Sequence, residues 1–363
     1  MTTAPEIASS KEGLSGELET YLRATVAPLA SRLDSDATAL FESFHGLGQK
    51  GWLAPKNPTA FGGLALSDDD YRIFQQTIAR YSGALAFLQT QHQSAASLIA
   101  SSQNAALQQK YLPGMASGEQ RLGVGFSQLR RRPAPLGAQI EPDGYRLNGT
   151  VPWVTGAGLF TDFVTAAVLP DQTAVFGVVP LTSQSSQTGE LIVGQPMALA
   201  GMTATNTVEV QLQNWFLAKE QVVGTRPARW IEQRDKSNPL SPLGLIFGCT
   251  QASLDQLNQS LKRRQIDHAI AQQLQLKLAW IQRDLARVAN LPEEASLQKT
   301  AFRGRAIALM NTCAQAAVIA ASGAANGAHH PTQRIYKESL VFSVSGQTTA
   351  SAIATFNRLL QSL

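Results

Sequence analysis

Apolar residues in the first third of the chain recur at spacings of three and four, the period of an amphipathic helix. Leu14, Leu18 and Leu22 begin such a pattern, which predicts a helix over residues 14–33. Ser67 is followed by three aspartates, a combination typical of a capped helix start. Further helices are predicted over about 36–49, 84–100 and 104–110. The first third of the chain is therefore predicted to be helical.

The pattern changes near Gly118 to short apolar runs and strict alternation, both typical of strands. Strands are predicted over residues 122–126, 163–168, 174–179 and 207–212. A further strand begins at Tyr145, with a turn expected at Asn148-Gly149. Several short strands joined by turns predict a small antiparallel β domain.

Helical spacing returns in the last third of the chain and continues to its end. It predicts helices over about 240–261, 266–288, 294–321, 333–342 and 348–361. Helices, then strands, then helices, without a βαβ repeat, indicate an α+β fold. We expect an N-terminal helical domain, a middle small antiparallel β domain and a C-terminal helical bundle, over 1–119, 120–226 and 227–363.

Composition excludes several classes of protein. With 30 basic and 26 acidic residues, the net charge of +4 is no argument for nucleic-acid binding. The histidines and cysteines lack metal-ligand spacing, and Cys249 and Cys313 are far apart in apolar contexts, as in a reducing compartment. Residues 1–12 are polar, which argues against a signal peptide, and no apolar run approaches about 18 residues. We expect a cytoplasmic protein that binds neither metal nor membrane.

Trp153 and Thr155 lie two residues apart in a predicted extended segment, where alternate side chains share a face. A large aromatic ring beside a small hydroxyl suits a flat heteroaromatic ligand, because the ring packs against it and the hydroxyl reaches a polar edge. The alternative is a hairpin with a half-buried tryptophan and an exposed threonine.

Two other polar groups leave similar alternatives open. Gln89, Gln91, His92 and Gln93 interrupt an otherwise apolar helix, where they line a ligand site or form an internal hydrogen-bonded cluster. The run 130–132 is three arginines in a loop, which is either solvated or holds a phosphate.

The order of elements and several short motifs resemble the acyl-CoA dehydrogenase superfamily over nearly the whole chain. Each motif is weak alone, and six or more in order are specific for the fold. They are Gly51-Trp52-Leu53, Phe61-Gly62-Gly63-Leu64, Lys110-Tyr111-Leu112-Pro113, Ser117-Gly118-Glu119, Asn148-Gly149 with Trp153-Val154-Thr155, Gly201-Met202 and Tyr336-Lys337-Glu338.

The resemblance implies a flavin cofactor, FAD with FMN as the alternative. It places Trp153 and Thr155 against the flavin ring, and Phe126 and Ser127 at the pyrimidine edge of that ring. It further implies a small-molecule substrate such as an acyl-CoA, and a homodimer or homotetramer.

The chain departs from the family where chemistry is concerned. The family's glycine-containing phosphate loop is replaced by Gln128-Leu129-Arg130-Arg131-Arg132-Pro133, which looks shorter and lacks a glycine nest. The family's catalytic glutamate falls on Gly346 or, in some members, near Ser237, and neither is a carboxylate. Asp235 and Glu338 are acidic neighbours with plainer roles as a helix-start or surface acid. No catalytic base is identified.

Three functions remain open at this point. The first is a flavin-dependent oxidoreductase that acts on the CH–CH bond of an acyl thioester or related substrate. The second is a flavin-dependent monooxygenase on the same fold, which needs no alpha-proton base. The third is a non-catalytic relative that has lost flavin chemistry. The first is our prediction.

Overall fold

The computed structural model describes residues 11–187 and 189–361. Five helices form its first third: α1 (Lys11–Tyr21), α2 (Ala37–Gln49), α3 (Asp68–Tyr81), α4 (Gly83–Ala100) and α5 (Ala105–Met115). The predicted helix 14–33 is regular only to Tyr21 and continues as short π and 3-10 turns to Asp34. Pro28 lies in those turns, where its missing N–H prevents a regular helix. Ser67 caps α3 as predicted, since its hydroxyl accepts from Asp70 N.

Nine strands form the middle of the chain. They are β1 (Leu122–Gly125), β2 (Leu136–Glu141), β3 (Gly144–Val154), β4 (Asp162–Val168), β5 (Ala174–Pro180), β6 (Gln184–Ser186), β7 (Gly189–Val193), β8 (Val208–Ala218) and β9 (Val222–Arg226). Their order is β6-β7-β8-β3-β2-β4-β5-β9, with β1 beside β4. The sheet is mixed, because β1 and β2 pair with β4 in parallel. The middle domain was predicted to be antiparallel, and this prediction is corrected to a mainly antiparallel, mixed sheet.

The predicted turn at Asn148-Gly149 is wrong, because β3 runs through this dipeptide without reversing. The register with β8 shifts between Leu147 and Gly149, and Asn148 Oδ1 accepts a hydrogen bond from Asn214 N at 2.8 Å. Gly149 has φ +129°, and a Cβ there would lie 2.0 Å from Pro135 O. The dipeptide therefore forms a bulge that accommodates a close backbone approach.

Six helices complete the described chain: α6 (Trp230–Ser237), α7 (Leu243–Arg264), α8 (Ala269–Ala289), α9 (Ser296–Ala321), α10 (Pro331–Val344) and α11 (Thr349–Leu360). Helix α7 packs on α3 and on α9, so both ends of the chain build one bundle. The contact with α3 is close, since a Cβ at Gly248 would lie 2.5 Å from Ala79 Cβ. The predicted α+β order is confirmed. The domain boundaries at 119 and 226 stay a prediction.

One helical stretch within the described residues, Glu293–Asn326, is long and apolar enough to cross a membrane by length and composition alone. The expectation that no stretch of the sequence is long and apolar enough to span a membrane is therefore wrong by this criterion. In the fold, 44% of its most apolar window is buried, and α9 packs against α7, α10 and α11. These contacts are those of a central helix in the C-terminal bundle.

Candidate functional site

The two segments that carry the predicted cofactor contacts lie against each other. A Cβ at Gly125, in β1, would lie 2.8 Å from Val154 and 3.0 Å from Val151 in β3. A Cβ at Gly123 would lie 3.0 Å from Thr155 O. Only glycine allows this close approach. The glycines of β1 therefore place the strand that leads to Ser127 in contact with the end of β3.

Ser127 begins a 3-10 turn that directly follows β1. Its hydroxyl oxygen is buried and has no hydrogen-bond partner within the described chain. The next side chain fixes the turn, because Gln128 Nε2 donates to Gly125 O, Thr165 Oγ1 and Ala166 O at 3.0–3.3 Å. A buried unpaired hydroxyl is costly, so this rigid turn presents a polar atom that a ligand would satisfy.

Trp153 and Thr155 are not equally accessible. The Trp153 ring is 46% exposed, whereas Thr155 is 6% exposed. The Thr155 hydroxyl lies 3.1 Å from that of Thr207. The register of β3 shifts between Val151 and Val154, which interrupts the alternation on which the prediction of a shared face rested. Neither sequence alternative holds in full, because the tryptophan is half-exposed and the threonine is buried.

The Phe126 ring points into a separate apolar cluster. It packs against Phe176 and Trp230, with ring centroids 5.8 and 6.2 Å away, and the Arg234 guanidinium lies 5.8 Å from its centroid. Its side chain thus lies apart from the core cluster that contains Val154. Only the main chain of Phe126 is left to contact a ligand beside Ser127.

The arginine run faces α6 and is not simply solvated. Arg130 makes a bidentate ion pair with Asp235, with N–O distances of 2.7 and 2.8 Å. Arg132 pairs with Glu232 at 3.0 Å and also donates to Leu129 O. Two of the three guanidiniums therefore already have carboxylate partners on α6.

A small cavity of about 60 Å³ lies where the two expected positions of the catalytic base meet. Gly346 lines it, as does Asn238, which follows Ser237. Its charged lining residues are Arg130, Arg234, Asp235 and Arg303. The single carboxylate among them, that of Asp235, is held by Arg130.

Glu338 is neither a surface acid nor part of this cavity. It is completely buried, and its Oε1 accepts from Gly83 N at 2.9 Å and from Arg334 Nη1 at 2.8 Å. Burial raises the pKa of this carboxyl above its ordinary value, against the opposing charge of Arg334. The expectation of a surface acid is therefore wrong, and Glu338 is a structural group.

A larger cavity of about 700 Å³ is lined by the same segment of chain as the arginine run, at Leu129 and at residues 132–134. Its apolar part includes Leu129, Trp230 and Ile231, and its basic part includes Arg132 and Arg229. Arg229 and Arg132 share Glu232 as their acidic partner. A cavity with this lining suits a ligand that combines an apolar portion with negative charge.

The polar cluster on α4 belongs to the fold. Gln89 Nε2 donates to Leu53 O at 3.0 Å, and Gln93 Oε1 accepts from Lys56 N at 2.9 Å. His92 Nε2 lies 2.8 Å from Met115 O, and burial lowers the pKa of this ring to about 4. These three side chains therefore form an internal hydrogen-bonded cluster, one of the two alternatives that the sequence left open. Within residues 11–187 and 189–361, no group of three metal-ligating side chains occurs.

Sequence reasoning missed Arg303, which is 3% exposed on α9. Its Nη1 donates to Gly346 O at 3.1 Å and its Nη2 to Ser345 O at 2.6 Å. The sequence feature that could have identified Arg303 is the presence of a charged residue in an apolar, alanine-rich helix.

Similarity to known proteins agrees with this geometry. Residues 10–119 match the family described as "Acyl-CoA dehydrogenase, N-terminal domain". A 3-(aryl)acrylate reductase from Clostridium sporogenes is 25% identical over 70% of each chain, and a probable acyl-CoA dehydrogenase from Bacillus subtilis is 22% identical over 78% of this chain and 77% of that one. The butyryl-CoA dehydrogenase structure from Megasphaera elsdenii superposes with a TM-score of 0.78 at 14% identity, and covers 99% of this chain and 100% of that one.

Residues 10–119 thus match the family of the acyl-CoA dehydrogenase N-terminal domain, and the chain as a whole is similar to acyl-CoA dehydrogenases, the superfamily that its motifs predicted. It is an oxidoreductase of the acyl-CoA dehydrogenase type. This class implies a flavin cofactor, and the buried, unpaired hydroxyl of Ser127 fits such a ligand.

Proposed function

We propose that the protein is an FAD-dependent, cytoplasmic oxidoreductase that acts on the CH–CH bond of an acyl thioester or a related small molecule. The observation that supports this most strongly is the buried hydroxyl of Ser127, which lacks a partner in the described chain and lies beside the end of β3. The monooxygenase and the non-catalytic alternative gain no support from the similarities above.

Each predicted contact residue has a distinct role in this proposal. The main chain at Phe126 and the Ser127 hydroxyl bind the polar edge of the flavin ring. The half-exposed Trp153 ring packs against its face, and Thr155 offers a hydroxyl that Thr207 holds in position. A flavin held by these residues would supply a hydride acceptor for oxidation of the substrate. The protein residues bind and orient that ring and exclude water from it.

The large cavity supplies space for the charged end of an acyl-CoA. Its guanidiniums, on Arg132 and Arg229, are suited to phosphate groups, and the Trp230 ring offers an apolar surface. Trp230 is the first residue of α6, and Asp235, at the small cavity, lies on the same helix. A ligand that follows α6 would therefore reach from one cavity to the other.

The visible spectrum of the purified protein tests the cofactor assignment directly. We expect flavin absorbance bands that survive desalting, or that develop after FAD is added in excess. FMN, added separately, decides between the two flavins. A colourless protein that retains neither flavin would disprove the proposal.

Ser127→Ala is expected to weaken flavin binding about three- to tenfold, since one hydrogen bond contributes about 0.5–1.5 kcal/mol. The change should leave the flavin-free protein as stable as before, because the hydroxyl has no partner there. Ser253→Ala is the control: the Ser253 hydroxyl is also buried, but it donates to Cys249 O. Fluorescence titration with FAD measures both affinities. Equal affinity in the Ser127 variant and the wild type would remove Ser127 from the site.

An exposed apolar face of α11 supports the proposal of a homodimer or homotetramer. Ile353, Phe356 and Leu360 are 52–68% exposed and recur at spacings of three and four. Phe356→Glu is expected to shift the protein to a smaller assembly, because it places a charge within this face. Arg358→Glu, at an exposed position on another side of the helix, also adds a negative charge and should not. Light scattering after size-exclusion chromatography decides, and an unchanged mass for Phe356→Glu would argue against this interface.

A further inference from the structure

The small cavity between α6, the start of α7, α9 and the α10–α11 turn carries an unbalanced positive charge. Three guanidiniums line it, on Arg130, Arg234 and Arg303, against one carboxylate, on Asp235. Both oxygens of Asp235 are engaged by Arg130. Two positive charges are therefore left without an anion in the lining of the cavity.

Arg303 is the side chain most affected by this excess of positive charge. It is 3% exposed, and its two hydrogen-bond partners among the described residues are neutral carbonyl oxygens, those of Ser345 and Gly346. Its Nε is buried without a partner in the described chain. Burial lowers the pKa of this guanidinium to about 10; the Asp235 carboxylate opposes this shift, and the charge on Arg130 adds to it. A buried charge of this kind is costly unless an ion of opposite sign binds beside it.

Arg234 adds a further positive charge at the edge of the cavity, where its side chain is exposed to solvent. Its guanidinium lies 5.8 Å from the centroid of the Phe126 ring and 5.7 Å from that of Trp230. Aromatic faces attract a cation but do not neutralise it. The two rings thus hold the Arg234 charge at the edge of the cavity.

The geometry points to a substrate carboxylate as the missing anion: the substrate carries a free carboxylate that binds in this cavity beside Arg303 and Arg130. A carboxylate matches the planar donor fork of arginine. The carbonyl oxygens at 345 and 346 and the Asp235 carboxylate are acceptors in the same wall, so an anion with only two oxygens leaves fewer oxygens facing acceptors than a phosphate would.

The position of the cavity is consistent with this assignment. Gly346 lines it at the place where the sequence resemblance puts a catalytic carboxylate, and Asn238 and Ser241 are exposed at its edge, so it opens to solvent. With about 60 Å³ of space, the cavity holds the carboxylate group while the rest of the molecule extends outward. This inference rests on the proposed function in that it names the substrate class of the same site.

Calorimetric titration of the full chain with hexanoate and with hexanamide, at constant ionic strength and pH 7.5, tests the inference. The two probes differ only in the charged group. We expect hexanoate to bind about tenfold or more tightly than hexanamide, since charge-assisted hydrogen bonds are the stronger ones. Equal binding of the two probes, or binding of neither, would overturn the inference without any variant.

Two variants locate the charge. Arg303→Gln is expected to lose about tenfold or more in affinity for hexanoate and to leave hexanamide unaffected. Arg305→Gln is the matched control, because Arg305 lies on the same helix, is exposed and pairs with Asp284. If Arg303 served only to hold the 345–346 turn, its replacement would lower stability but leave the acid-to-amide ratio unchanged, which would contradict the proposal.

Inorganic phosphate forms the last part of the test. If phosphate binds more tightly than hexanoate and depends equally on Arg303, the site is a phosphate site and the carboxylate assignment is wrong. None of these titrations requires flavin reduction. Selective carboxylate binding by a protein that takes up no flavin would therefore support the site while disproving the proposed function, and the two outcomes remain separate.

Discussion

Glu338→Ala is expected to lower the free energy of unfolding by about 3–5 kcal/mol, the usual effect of removing one partner from a buried ion pair. Glu338 is fully buried, and Arg334, one helical turn earlier on α10, donates to it at 2.8 Å. The same carboxylate oxygen accepts from Gly83 N, at the first residue of α4. The substitution therefore leaves a guanidinium and a helix-end N–H without an acceptor inside the core. Urea unfolding followed by circular dichroism measures the loss.

Two controls separate the unpaired charge from the loss of side-chain volume. Glu232→Ala removes the ion pairs with Arg132 and Arg229, which lie at the surface, and should cost about 0–1 kcal/mol. The double substitution Arg334→Met with Glu338→Leu removes both charges, and we expect it to be more stable than Glu338→Ala alone. A Glu338→Ala protein as stable as the wild type would show that the pair does not hold α10 to α4.

The elements that the sequence predicted well are those whose signals are local. Helix α8 was predicted from apolar residues at regular spacing, and Leu274, Leu278, Ile281 and Leu285 are all buried in it. The start of α3 followed from the capping preference of Ser67. Periodicity and caps depend on neighbours within about one turn of helix, so they can be recognised without knowledge of the tertiary structure.

The wrong predictions depend on residues far apart in the chain. Asn148-Gly149 has the composition of a hairpin turn, but β2 and β8 flank β3 on both sides and keep it extended. Glu338 has the sequence context of a surface acid, but the fold buries it against Arg334 and the first residue of α4. In both places, tertiary contacts override the local preference.

The candidate site was predictable only in part for the same reason. The alternation of Trp153 and Thr155 suggested a ligand, while the roles of Phe126 and Ser127 came from the family resemblance. Nothing local indicated that the Ser127 hydroxyl would be buried without a partner. Arg130 and Arg303 are 173 positions apart in the sequence, so their meeting in one cavity could not be inferred from spacing.

His92 is expected to make the protein less stable as the pH falls, and its surroundings show why. The buried ring lies between α5 and β1, with Nε2 2.8 Å from Met115 O and Nδ1 3.0 Å from Leu122 O and 3.3 Å from Leu122 N. A neutral ring donates to only one of the two carbonyl oxygens: with its proton on Nε2 it donates to Met115 O and accepts from Leu122 N, and with its proton on Nδ1 it donates to Leu122 O. Burial lowers the pKa from 6.5 to about 4, although the nearby carbonyl oxygens of Met115 and Leu122 oppose the shift.

The direction of the pH effect follows from proton binding. Between pH 6.5 and about 4, the unfolded chain binds a proton that the folded chain excludes, so stability falls as the pH falls. By pH 5 the loss through His92 should reach about 2 kcal/mol relative to pH 7.5. His92→Gln keeps a donor and an acceptor but cannot titrate, so its unfolding free energy should fall less over this range in urea unfolding measured at both pH values. His45→Gln, which changes an exposed histidine on α2, should retain the wild-type dependence. If the His92→Gln variant and the wild type lost stability in parallel, other groups would have to account for the acid sensitivity, and His92 would be an ordinary packing residue.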